Sequence, residues 1–413
     1  MVLAASTASA CVAPAERTGA SREAITSSQA NILDFRFSAS VLADAGAEAR
    51  NAVVTQLMYV QGILTTAGDG NGKVGQVELS DISASPDGAK KKITYNASLP
   101  VAFPKDRGTP QSYELALPND VTALDAFNGK YDGRCGHQNH GQGNFWMDYA
   151  PKAEGCSLDD GDVVRVTAGV SPSSKETHDK YPEYDLLWAD GRLDAVAIFS
   201  IVTSNESNDW GYRERDEFLG ASKELLWDVH VDDKGGSESV IGHTTITGQY
   251  TVGGSGKPVT VDTFLVHELD GVGADFDRQY DELSERADII MYSGHAGLGK
   301  HVNALARKGR VPHEKYQIVV LNGCQSFAHI DTTLNDRRIA VNGSSRDPAG
   351  TAFMDVVANA LPGYADKLAE VSSEILKAAA NADSPRSYAS LLDAMPPKHV
   401  VVVFGEEDNR YRP

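Results

Sequence analysis

The chain has 413 residues, enough for two units with a core each, and its composition, 41% hydrophobic and 23% charged, is that of a folded soluble protein rather than a disordered one. A formal net charge of -19 argues against nonspecific attachment to nucleic acid or to an anionic membrane, since both present like charge. No apolar run approaches the length of a membrane span, so no integral span is expected.

Residues 1–30 read as a signal or lipoprotein-like segment with a linker. The start, MVLAASTASAC, is short, apolar and rich in small residues, and Ala8-Ser9-Ala10 precedes Cys11 as in the last residues of a bacterial signal peptide. A lipobox would place Cys11 at the lipidated position, giving a membrane tether on an exported protein. The basic region that usually opens such a segment is absent, and a plain tail is the alternative.

Residues 31–170 turn to strand patterns. Val53 to Leu64, Gly75 to Ile82, Lys92 to Phe103 and Ser112 to Leu117 are β-rich runs divided by turn clusters such as AGDGNGK and SPDGAK, which predicts an all-β, sandwich-like domain. Asp69, Asn71, Gly72 and Glu78 fall at positions three, five, six and twelve of an EF-hand-like loop. Position one is Ala67, so a Gly/Asn turn in a hairpin is the plainer reading. The aromatic stretch Arg134 to Cys156 is expected to be an ordered loop.

Residues 171–189 form a polar linker, and 190–413 alternate between strand and helix. Strands are predicted at Ala195 to Val202, Val259 to Val266, Ile289 to Tyr292, Tyr316 to Leu321, Arg338 to Val341 and Val400 to Phe404. Helices are predicted at Arg213 to Trp227, Asp275 to Arg286, Lys300 to Lys308, Ala349 to Ala360 and Ala365 to Ala380. Such alternation gives an α/β unit, a mostly parallel sheet with helices on both faces.

There are four cysteines. Cys135 and Cys156 would pair in an oxidising compartment, leaving Cys324 as the one thiol without an assigned role. Cys135, His137, His140 and Cys156 also make a possible zinc set of two thiolates and two imidazoles, although the spacing fits only loosely.

The stretch Asp288 to Phe327 carries the chemistry. Each of its two apolar strands runs into small residues and then a reactive side chain, His295 or Cys324. A β-loop-α-β unit with a right-handed crossover sets both strand ends on one sheet edge, which makes the two residues neighbours. A thiolate attacks a carbonyl far better than a thiol does, and a nearby imidazole can take its proton and later protonate the leaving amine. Gly294, Gly297 and Gly323 let backbone come close to a substrate and offer N–H donors to an oxyanion.

An apolar strand entering Ser-Gly-His, then a helix, then an apolar strand entering Asn-Gly-Cys resembles the caspase/legumain/gingipain clan of cysteine peptidases. The resemblance spans about residues 190 to 413 in element order and is specific around Tyr292 to Gly297 and Val319 to Ser326. It implies a caspase-like fold, Cys324 as nucleophile, His295 as general acid and base, an oxyanion site at the amides of Ala296 and Cys324, a protein or peptide substrate, and no cofactor. Two departures stand out: Ala296 occupies the place where the clan has glycine, and His295 and Cys324 are closer in sequence than in caspases.

Two other readings use the same residues. One is a caspase-like binding protein without activity. The other is a degenerate phosphate-binding loop, since Gly294 to Lys300 fits G-x-x-x-x-G-K; His301 stands where a hydroxyl should be, and a lysine on a solvated first helical turn is the plainer explanation. Asp331 and Asp347 lie where the clan often builds its specificity pocket.

Overall fold

The computed structural model describes residues 24–141, 143–202, 208–362, 365–396 and 399–413. Cys11 and the proposed signal segment lie outside them.

The chain opens with the two-residue strand β1 (Ile25–Thr26), then β2 (Ala30–Asp44), helix α1 (Ala49–Thr66), β3 (Asn71–Gly72), β4 (Glu78–Asp87), β5 (Lys90–Pro104) and β6 (Ser112–Pro118). Helices α2 (Leu124–Tyr131) and α3 (Phe145–Asp148) precede β7 (Val163–Pro172), β8 (Glu176–Thr177) and α4 (Tyr184–Leu187). Strands β3-β5-β2-β7-β6 form one antiparallel sheet, with β4 also on β5, and β2 pairs β5 from Ala30↔Pro104 to Asp44↔Lys90.

The expected sandwich is not what forms. Val53 to Leu64, read as a strand, is the body of α1, and this helix takes the place of a second sheet. Val53, Leu57, Val60 and Leu64 recur at helical spacing and are fully buried against the sheet. Each such side chain contributes about 1.5–3 kcal/mol on leaving water, which outweighs the β preference of its valines. The Glu48 carboxylate accepts from the Arg50 and Asn51 amides and fixes where α1 begins. The described residues of the stretch 134–156 are held by the Cys135–Cys156 disulfide and by Phe145 and Tyr149 packed into the same core. That bond uses both sulfurs of the zinc alternative, and His140 pairs instead with Asp148 at 2.8 Å. The calcium alternative is unbuilt too: Asp69 accepts from Tyr113 at 2.6 Å and Glu78 pairs with Lys175 at 3.0 Å.

The rest builds a larger sheet from β9 (Leu193–Ser200), α5 (Trp210–Leu225), β10 (Trp227–Gly235), β11 (Val240–Val252), β12 (Ser255–Val266), α6 (Ala274–Arg286), β13 (Ile289–Ser293), α7 (Lys300–Arg307), β14 (Gln317–Asn322), α8 (Ser326–His329), α9 (Thr333–Asn342), β15 (Met354–Asn359), α10 (Leu368–Ala380), α11 (Tyr388–Asp393) and β16 (Val401–Phe404). Its order is β10-β11-β12-β9-β13-β14-β15-β16-β1-β8. The five strands β12, β9, β13, β14 and β15 are mutually parallel, so Val266, Ser200, Ser293, Asn322 and Asn359 all end on one edge. Along β9, Val196 and Ile198 enter one core, with α6 and α7, while Ala195, Ala197 and Phe199 enter the other, with α5, α10 and α11. Burial on both faces is why these strands read as unbroken apolar runs.

Two expectations fail here, and one hairpin appears where no element was expected. Arg338 to Val341 belongs to helix α9, where the buried Arg338 guanidinium donates to Phe353 O at 2.8 Å and to Gln317. Met354 to Asn359, inside the expected helix 349–360, is strand β15, buried on both faces between β14 and β16. The β10–β11 hairpin, rich in threonine, glycine and charge, was not anticipated. In addition, β1 and β8, from the expected leader and linker, join the large sheet beside β16.

Candidate active site

Going along the parallel block, the chain lays β12 on one side of β9 and β13, β14 and β15 on the other. The order therefore reverses between β9 and β13, and loops leaving the two strand ends diverge there, as at the crevice where open α/β sheets bind ligands.

His295 follows β13 and Cys324 follows β14. These strands pair in parallel with Ser293 opposite Asn322, so the two loops start side by side. Their backbones touch: a Cβ on Gly323 would lie 3.0 Å from Gly294 O and 3.1 Å from Ala296 N. Gly294 donates to Asn322 O at 3.2 Å, and a side chain there would collide with the Ser200 hydroxyl. Gly294 and Gly323 thus permit close approach between loops, a use sequence alone had assigned to substrate.

His295 is exposed, and its Nε2 lies 2.6 Å from Val202 O, in the loop after β9. A carbonyl only accepts, so Nε2 carries the proton and Nδ1 holds the lone pair of the neutral ring. The buried Tyr292 hydroxyl donates to His295 O at 2.7 Å and lies 3.0 Å from Ser200 Oγ. Burial holds the Tyr292 pKa well above the ordinary tyrosine value, so it remains a neutral donor. Ala296 has φ -71° and ψ -22°, an ordinary right-handed conformation that needs no glycine. The left-handed turn comes next, at Gly297 and Leu298 (φ 58° and 52°).

Cys324 is half-buried and outside the disulfide. Gln325, immediately after it, is left-handed at φ 54°, ψ 27°, a conformation costing a non-glycine residue about 1 kcal/mol or more, of the kind that gathers at functional sites. Beneath the loops a buried polar network ties three strand ends together: Asn322 donates to Leu368 O at 2.9 Å and to Ser293 Oγ at 3.3 Å, and Asn359 donates to Asn322 Oδ1 at 3.0 Å. Ser326 closes the turn by donating to Leu321 O at 2.5 Å and accepting from Asn359 N at 3.0 Å.

The N-terminal region supports both loops. Leu298 packs against its core, and Trp146, on α3, stands edge-on to His329 of α8 with ring centres 6.2 Å apart. Burial lowers the His329 pKa to about 4. Sequence reasoning missed Val202, Trp146, Leu298 and Gln325. The parallel strand before Val202 was the only signal, because a backbone carbonyl has no residue-type signature.

Asp331 and Asp347 do structural work: Asp331 accepts from Thr333 N at 2.8 Å, and Asp347 is buried and accepts from Asn342 at 3.0 Å. Lys300 is exposed on the first turn of α7. Among the described residues no group of three or more His, Cys, Asp or Glu could hold a metal ion, and no helix is long and apolar enough to cross a membrane. Neither protein-family models nor curated proteins give a match to this chain.

Proposed function

We propose that this chain is a cysteine endopeptidase of the caspase/legumain/gingipain type, with Cys324 as nucleophile and His295 as general acid and base. The observation that carries this reading is the interlocked pair of loops: Gly323 seated on Gly294 and Ala296 brings the thiol loop against a histidine whose tautomer is fixed by Val202 O. In the proposed reaction His295 Nδ1 takes the Cys324 thiol proton as Sγ bonds to the peptide carbonyl carbon, and the C=O electron pair moves onto the oxygen, which faces loop amides that include that of Ala296. The C–N bond then breaks as the proton on His295 Nδ1 passes to the departing nitrogen. Water, deprotonated by the same Nδ1, releases the acyl group from sulfur. The disulfide fits action in an oxidising compartment, and with it export of the chain.

The test is labelling by a thiol-reactive peptide electrophile together with cleavage of a peptide library. Cys324 should react at least tenfold faster than a free cysteine peptide, and Cys324→Ala, with its fold intact, should lose cleavage. Labelling no faster than the free thiol, with no cleavage, would establish the inactive binding protein instead.

A further inference from the structure

Past His295, on the side away from Cys324, the loops after β9 and β12 part and open a cleft of about 580 Å³. Its walls include Ser200, Glu238, Glu268, Asp270, His295 and His301. Glu238, Glu268 and Asp270 are exposed, and no ion pair among the described residues engages them. Acidic residues on a surface are ordinary in a chain this negative. His301 makes this place different. It is 6% exposed, and its Nδ1 accepts from the Asp270 amide at 3.0 Å, so the proton of the neutral ring is on Nε2. Burial lowers its pKa and keeps it neutral. Nε2 has no hydrogen-bond partner among the described residues, and the wall beside it is bare: a Cβ on Gly297, left-handed at φ 58°, would lie 2.9 Å from that nitrogen. A buried N–H donor is therefore held open toward a cleft lined by three carboxylates.

We infer that this cleft receives the departing side of the substrate and selects a cationic residue, arginine or lysine, just after the bond that is cut. This rests on the peptidase reading for its orientation. Cys324 bonds to the acyl half, His295 delivers a proton to the nitrogen that leaves, and the cleft lies beyond the histidine. The departing half begins with an amine, which is protonated by solvent at neutral pH once released. That ammonium and a guanidinium or ammonium side chain meet Glu238, Glu268 and Asp270, while the carbonyl of the same residue accepts from His301 Nε2–H.

Calorimetry with argininamide and with citrullinamide, which differs in having a neutral side chain, tests the site without requiring catalysis. Both are titrated into the full chain and into Cys324→Ala, which cannot turn over. Argininamide should bind both proteins alike and roughly tenfold or more tighter than citrullinamide, and Glu268→Gln should erase that preference. Equal binding of the two amides, or none, overturns the cation site. In parallel, a peptide library should be cut with arginine or lysine enriched after the bond; enrichment only before it overturns the assignment to the departing side. Selective argininamide binding without any cleavage would remove the peptidase reading and leave the cation site standing.

Discussion

The C-terminal edge of the large sheet is built in two ways. Over β13 and β14 the loops lock together, backbone on backbone, with glycine wherever a side chain would force them apart and a network of asparagines and serines beneath. Over β9 and β12 they diverge and leave a cleft. The tight half suits bond making, where a misplacement of about 1 Å can cost 100-fold in rate, and the open half suits recognition, which needs space and charge. Val202 O joins the two halves, since it belongs to the loop after β9 yet sets the proton on His295.

The largest effect should come from prising the tight half open. In Gly323→Ala the new methyl meets two backbone groups at 3.0–3.1 Å, which can yield only by moving the loops. Labelling of Cys324 should slow about 100-fold while the thermal midpoint changes little. Trp146→Ala acts on the same half from the N-terminal region by removing the ring against His329. It should cost about 3 kcal/mol of stability, read by denaturant titration, and slow labelling about tenfold, because the Cys324 loop loses its outer support. In contrast, Glu268→Gln should leave the labelling rate with a neutral electrophile unchanged and alter only selectivity for cationic ligands. If it slows neutral labelling as much as Gly323→Ala, the division between the halves is wrong.

The smallest effect lies at the far edge of the sheet. Glu406 is fully buried, accepts from Thr26 at 2.7 Å and Thr177 at 3.1 Å, and has its pKa held well above the ordinary glutamate value by burial first and by nearby Asp355 second. The native state therefore keeps a proton that the unfolded chain gives up. Stability falls as pH rises from the ordinary glutamate value toward the raised one. Glu406→Gln should match the wild type near pH 5 and melt a few degrees higher at pH 8, with Cys324 labelling unaffected.

How much of this was readable in the sequence depends on what each residue type signals. Strands β9, β13, β14 and β16 were legible because burial on both faces demands continuous apolar runs, and the glycines around His295 and Cys324 marked loops where backbones meet. Helix α1 was misread because VVTQLMYVQGIL favours strands locally, and only its four-residue spacing, realised by packing, says otherwise. The same conflict hid β15 in TAFMDVVANA, where the flanking alanines suggested helix. Of the site, the pair was legible and its supports were not. Leu298 and Gln325 do not announce left-handed backbones, and Trp146 lies in another region of the chain.

The pairing of β1 with β16 has a consequence for the order of assembly. Thr26 donates to Glu406, 380 residues further along, and Ile25 lies opposite Phe404. A ribosome adds roughly 5–20 residues per second, so β1 must wait for the 380 residues that separate Thr26 from Glu406 before its partner emerges. The N-terminal sheet, complete once β7 is made, can fold during that interval and hold its Trp146 buttress ready. The large sheet closes around β16 only after that strand is made, so the candidate thiol reaches its final frame after the N-terminal sheet.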